Sequence, residues 1–186
     1  MMSRTDALSR PRRSIRLKGY DYRLAGGYFV TICVKGGKCL LGDVVEGEMV
    51  LNDFGWIVDE EWSNTGELRK PVALDVYRVM PNHFHGIVWL TNEPEKQARQ
   101  ASPLPKPLKG PEPGSLGAVV GGVKSASTRR INQERGTAGV VFWQRNYWER
   151  IIRNERELEA IRRYIWNNPA NWRRDQLHPG DPARAR

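Results

Sequence analysis

Two of the three histidines stand two residues apart, in Met80-Pro81-Asn82-His83-Phe84-His85-Gly86-Ile87-Val88-Trp89-Leu90. On an extended strand, side chains at i and i+2 share a face, so His83 and His85 would stand side by side with Phe84 turned into the core behind them. Two imidazoles so placed can share one divalent cation through neutral ring nitrogens. The same spacing also fits a merely polar strand edge, and the pair gains meaning from a second segment nearer the C-terminus.

That segment is Arg163-Tyr164-Ile165-Trp166-Asn167-Asn168-Pro169. In a helix Tyr164 and Asn168 are i and i+4 and lie on one face, at the border of a buried stripe that includes Ile161. Asn168 offers a carbonyl oxygen as a third, hard ligand beside two imidazoles. Tyr164 brings a phenol oxygen to the same ion. An ordinary phenol titrates near ~10, so it needs a base or a close cation to act as a nucleophile. A cation that also binds phosphate oxygens would let tyrosine replace water in an in-line displacement and keep the phosphoester bond energy for rejoining. Tyr147 is the rival nucleophile, but its i+4 neighbour is Ile151 and its surroundings read as extended. Without metal chemistry, Tyr164 is a half-buried packing residue and Asn168 the end of a helix.

The elements that must position these groups follow from patterning. Tyr28–Val34 is β-branched and aromatic and predicts a strand after the Gly26-Gly27 turn. Leu40–Val45 and Glu48–Leu51 flank Glu46-Gly47 as a hairpin. Asn52 or Asp53 caps a helix to about Asn64, with Phe54, Ile57, Val58 and Trp62 recurring at helical spacing. Leu74–Met80 alternates, Pro81-Asn82 turns, and the His-Phe-His strand returns as a hairpin partner. Residues 115–133 predict a helix in which Gly121 and Gly122 cost about 1 kcal/mol each against alanine and leave room for another backbone. Val140–Trp143 and Tyr147–Ile152 read as short strands. Asn154 with Glu157 resembles a capping box for the last helix, whose stripe is Leu158, Ile161 and Ile165 and which Pro169 stops. The order predicts an α+β fold, a compact antiparallel sheet with helices packed mainly on one face.

Residues 1–18 read as a flexible basic arm, 19–173 as one domain, and 174–186 as a tail. Within the domain, 91–114 is a Pro-rich mobile insertion with Pro94, Pro103, Pro105, Pro107, Pro111 and Pro113. The 186-residue chain carries 30 Lys plus Arg against 21 Asp plus Glu, a net charge of +9 that points to a polyanionic partner. Arginines interleaved with Phe142, Trp143, Tyr147, Trp148, Tyr164, Trp166 and Trp172 suit phosphate contacts and base stacking on unpaired nucleic acid. Lys124, Arg129, Arg130 and Arg145 are the candidate DNA contacts. Cys33 and Cys39 make neither a disulfide framework nor a zinc spacing, which with the lack of a membrane-length apolar run predicts a cytoplasmic protein.

In their order, Met80–Val88, then Leu116-Gly117 with Lys124-Ser125-Ala126, then Phe142–Tyr147, then Arg163–Pro169 resemble the single-strand DNA transposases with an HUH motif. The branch most like it is the REP-associated tyrosine transposases, and the resemblance covers about residues 20–172. It implies a ferredoxin-like fold and Mg²⁺- or Mn²⁺-dependent cutting and joining of single-stranded or hairpin DNA by a monomer or homodimer. His83 and His85 match the histidine pair. Tyr164 matches the tyrosine that forms a 5′-phosphotyrosine link and frees a 3′-hydroxyl. Asn168 falls where many relatives carry glutamine as third ligand. Two other readings stay open: a non-catalytic binder of structured single strands, and a phosphodiesterase that uses water.

Overall fold

The computed structural model describes residues 20–69, 71–91 and 111–180. The basic arm, residues 92–110 of the Pro-rich stretch and residues 181–186 lie outside the described residues.

Six strands and three α-helices are found among the described residues. Strands β1 (Gly26–Cys33), β4 (Val72–Met80), β5 (His83–Leu90) and β6 (Trp148–Ile152) form one antiparallel sheet in the order β4-β5-β1-β6. Helix α1 (Asp53–Leu68) links β1 to β4, and α2 (Leu116–Glu134) links β5 to β6. This is the β-α-β-β-α-β succession of the ferredoxin-like fold. Two additions decorate it. A separate hairpin, β2 (Gly42–Val45) with β3 (Glu48–Leu51), precedes α1, and α3 (Glu155–Asn167) follows β6. Glu46 and Gly47 turn that hairpin with φ of 53° and 85°, the left-handed pair a two-residue turn requires.

Alternation along the strands separates two faces. Tyr28, Val30, Ile32 and Val34 of the β1 run join Phe84 and Val88 of β5 in the main core under α1 and α2. Trp62 and Phe84 meet there at 4.6 Å between ring centroids. Gly86 is a glycine because Trp62 and Phe84 crowd it: an added Cβ would sit 2.7–2.8 Å from their ring carbons. The other face carries Phe29, Ile87, Trp89 and Ile152 and is covered by α3 through Leu158, Ile161 and Ile165. Helices α1 and α2 thus share one face, as expected, while α3 takes the histidine-bearing face.

Both N-cap residues read from sequence cap their helices, but the capping box at α3 is not closed: the Glu157 carboxylate accepts from the Arg153 N–H. Asn52 accepts from the Gly55 N–H, and Asn154 accepts from the Glu157 N–H. Helix α1 runs four residues past the expected Asn64, to Leu68. Val140–Trp143 is not a strand; a single bridge joins Trp143 to Val34. Its apolar run arises because Phe142 and Trp143 plug the core, each under 5% exposed, while Val140 and Val141 face solvent. Among the described residues no backbone enters the space at Gly121 or Gly122: a Cβ added at the first would meet only a Pro111 ring carbon at 3.9 Å, and one added at the second would sit 2.7 Å from the Arg69 guanidinium.

The described part of the expected tail is anchored to the sheet. Trp172 is 8% exposed, and the Leu177 carbonyl accepts from the Asn82 side chain at 2.7 Å. Asp175, Leu177 and His178 are half-buried, and Trp172, whose ring packs on both His83 and His178, anchors this stretch against the sheet.

Candidate functional site

The pairing register sets the floor of the site. Cys33 of β1 lies opposite His83 of β5, Thr31 opposite His85, and Trp148 of β6 opposite Thr31. Partners across an antiparallel pair share a face, so these side chains stand in one array under α3. The His83 and His85 rings are 4.4 Å apart between centroids, and both residues are almost fully buried.

Each imidazole is fixed from behind. Asn82, in the two-residue turn between β4 and β5, donates both amide hydrogens away, to the carbonyls of Gly37 and Leu177. Its Oδ1 is therefore the acceptor 2.8 Å from His83 Nδ1. Nδ1 carries the proton, and Nε2 bears a lone pair directed into the site. His85 Nδ1 lies 2.8 Å from Thr31 Oγ1. Burial, reinforced by neighbouring His83, holds His85 well below the ordinary imidazole range, so the ring is neutral. A backing hydrogen bond to each ring is the arrangement that orients metal-ligating histidines.

Tyr164 arrives from α3 of the same chain. Its hydroxyl is 3.1 Å from His85 Nε2, and its ring packs edge-on against Phe29. Burial, and then the negative charge of Asp175, pushes the phenol up to about 12, against the lowering effect of a hydrogen bond from Asn168. Left to itself it is a poorer nucleophile than free tyrosine; it needs positive charge beside it.

Asn168 and Asp175 complete the group. Asn168 is 2% exposed and donates through Nδ2 to Asp175 Oδ2 at 2.7 Å. That bond fixes which way the amide faces, and Asn168 Oδ1 is buried with no hydrogen-bond partner among the described residues. Ligand atoms of His83, His85 and Asp175 all lie within 4.8 Å of one another. Two imidazoles and a carboxylate, with a buried amide oxygen in want of a partner, fit a divalent cation in both chemistry and spacing. Sequence reading missed Asp175. Its one signal was an acid in the arginine run Arg173-Arg174-Asp175, just beyond a tryptophan able to anchor the turn.

His85, Tyr164, Asn168 and Asp175 border a cavity of about 760 Å³, with Arg163 and Arg174 at its rim. The remaining candidates sit elsewhere. Tyr147 is partly buried against the main core, on the α1–α2 side. Lys124 Nζ donates to the carbonyls of Gln144 and Arg145, at 2.6 and 3.0 Å, and so braces the loop before β6. Arg130 reaches Glu60 and Glu61 and ties α2 to α1. Arg129 and Arg145 border a second groove of about 780 Å³ between α2 and residues 136–145.

The fold, a ferredoxin-like sheet with an appended helix, is that of a solved tyrosine transposase; in this chain it carries paired histidines on a central strand and a tyrosine on the last helix. A solved structure, that of a REP-associated tyrosine transposase bound to a REP hairpin, superposes with a TM-score of 0.55 at 18% identity, covering 84% of this chain and 74% of that one. A crystal structure of a candidate transposase from Deinococcus radiodurans gives a TM-score of 0.40 at 20% identity, covering 82% of this chain and 95% of that one. No family model matches the chain. In sequence it is 39% identical over 173 residues to an uncharacterised Haemophilus influenzae protein, covering 90% of this chain and 93% of that one. The chain belongs to the same family as that protein.

Proposed function

We propose that this chain is a divalent-metal-dependent nickase and strand transferase for single-stranded DNA, with Tyr164 as its nucleophile. The observation that carries the reading is the 3.1 Å approach of the Tyr164 hydroxyl to His85 Nε2, beside a second imidazole and a carboxylate. A packing tyrosine has no need of such company.

His83, His85 and Asp175 would hold the cation, with Asn168 Oδ1 available as a fourth donor. When bound, it would act as a Lewis acid on phosphate oxygens and supply the positive charge the phenol lacks. A mixed imidazole and carboxylate set suits Mn²⁺ better than Mg²⁺, which prefers oxygen ligands and keeps its waters.

The chain's own residues do the rest. Asn82 and Thr31 hold the two rings in place, so no reorganisation is needed when the phosphate enters. Arg163 and Arg174 at the cavity rim attract the backbone of the strand. Tyr164 Oη forms a bond to phosphorus while the bond from phosphorus to the 3′ oxygen breaks; the phenol loses one proton and the departing oxygen gains one. The strand is left with a free 3′-hydroxyl and a 5′-phosphotyrosine. Attack by a 3′-hydroxyl on that linkage reverses the step and rejoins DNA. One chain carries all these groups, so a monomer suffices. We take the substrate to be a single strand bearing a hairpin, because the structural neighbour is bound to one.

The test is a pool of hairpin-bearing oligonucleotides with randomised flanks, incubated with Mn²⁺ or with EDTA. Cleavage that requires Mn²⁺ and leaves 3′-hydroxyl ends is expected; product ends that carry no protein would favour hydrolysis by water instead, and binding without cleavage a passive binder.

A further inference from the structure

We infer that Trp148 is the stacking platform for an unpaired base next to the phosphate that Tyr164 attacks. The inference rests on the reading above and adds to it a base-binding subsite.

The array across the sheet places it. His85, Thr31 and Trp148 are successive partners on β5, β1 and β6 and share the α3 face. Two strand spacings separate His85 from Trp148, about 10 Å between backbones. Both border the same cavity, across which Tyr164 projects from α3. A base joined to a phosphate held beside His85 and Tyr164 therefore falls within reach of the indole.

Its surroundings point the same way. Trp148 is 58% exposed on an edge strand. The other large rings around the site hold the fold together: Phe29 stacks on His85, and Trp172 packs on both His83 and His178. Trp148 has no ring contact and no side-chain hydrogen bond among the described residues. The face it presents is apolar and flat, and it borders the same cavity as Arg163 and Arg174, which can hold phosphates of the strand. Flat aromatic surface between cationic side chains is what unpaired bases stack upon, in a sequence-tolerant way.

The experiment uses the full chain carrying Tyr164→Phe, so that binding is read without cleavage, in Mn²⁺, on an oligonucleotide the wild-type chain cuts. Affinity is measured for the intact strand and for strands with an abasic site at each nucleotide flanking the cleaved phosphate. Adding Trp148→Ala should weaken binding of the intact strand by about 5- to 100-fold, the range of one lost stacking contact. Trp148→Tyr should retain binding within about threefold, since its ring still stacks. One abasic position should weaken binding to the parent but cause no further loss in Trp148→Ala. Equal affinity of Trp148→Ala and its parent, or an abasic loss that persists undiminished in Trp148→Ala, overturns the subsite and leaves the nuclease reading intact. If the wild-type chain neither binds nor cuts any strand of the pool, both fall.

Discussion

At the scale of single residues, Asp175 is what the structure adds to the group of side chains read from sequence. Asn168 was the candidate by helical spacing, and it does reach the site. Its Nδ2 donates to Asp175, its buried Oδ1 has no hydrogen-bond partner among the described residues, and a carboxylate oxygen of Asp175 lies within 4.8 Å of the two imidazole ligand atoms. Asp175→Ala should weaken Mn²⁺ binding more than Asn168→Ala in a calorimetric titration, the loss for Asn168 being about 10- to 100-fold, that of a group which orients a ligand. The reverse order would make Asn168 the ligand and Asp175 its support. The histidine pair was legible because a strand's period of two acts within three residues. Asp175 was not, because what recruits it is the turn pinned by Trp172 and the bond from Asn82 to Leu177, 95 residues apart in sequence.

At the scale of elements, the question is what holds α3 at the height that brings Tyr164 to His85. Leu158, Ile161 and Ile165 supply the apolar contact, and that stripe was visible in the sequence. Direction comes from a polar clamp that was not. Arg162 reaches both carboxylate oxygens of Asp75 on β4, at 3.1 and 2.7 Å, and the Trp89 indole donates to the same group. Burial raises the Asp75 carboxyl, but hydrogen bonds from Arg162, Val76 and Trp89 outweigh it and hold the group below its ordinary value. A lowered carboxyl stabilises the fold above its unfolded value near ~4, and the stabilisation fades as pH falls through the lower folded value. Asp75→Asn should therefore lower the melting temperature at pH 7 by a few degrees, and the gap between wild type and variant should narrow below pH 4 in thermal melts. No periodicity announces such a clamp, since residues 75 and 162 belong to elements placed together only by the sheet. The expected strand at 140–143 failed for a related reason: Phe142 and Trp143 are apolar to plug a core, not to alternate along a ladder.

At the scale of the whole molecule, the net charge of +9 predicted a polyanionic partner, and the structure sorts the arginines that could meet it. Arg130 is engaged with Glu60 and Glu61, whereas Arg129 and Arg145 border the open groove beside α2. Replacing Arg129 and Arg145 together should reduce the slope of log affinity against log salt by about 1.4 on single-stranded DNA, from two lost phosphate contacts. Arg130→Ala should leave that slope unchanged and lower stability instead. The ferredoxin-like arrangement was implied only by the family resemblance, and the strand order β4-β5-β1-β6 is read from the structure. An antiparallel sheet with helices mainly on one face followed from the element order. The covering of the histidine face by α3 and residues 172–180 did not, since it depends on packing across the whole sheet. The central claim is that the phenol of α3 is joined to DNA beside the paired imidazoles of β5. Its most direct test is mass spectrometry of the covalent product after trypsin digestion. The expected result is a nucleotide on Tyr164, in the peptide of residues 164–173; a nucleotide on Tyr147, or cleavage with no nucleotide on any tyrosine, would contradict it.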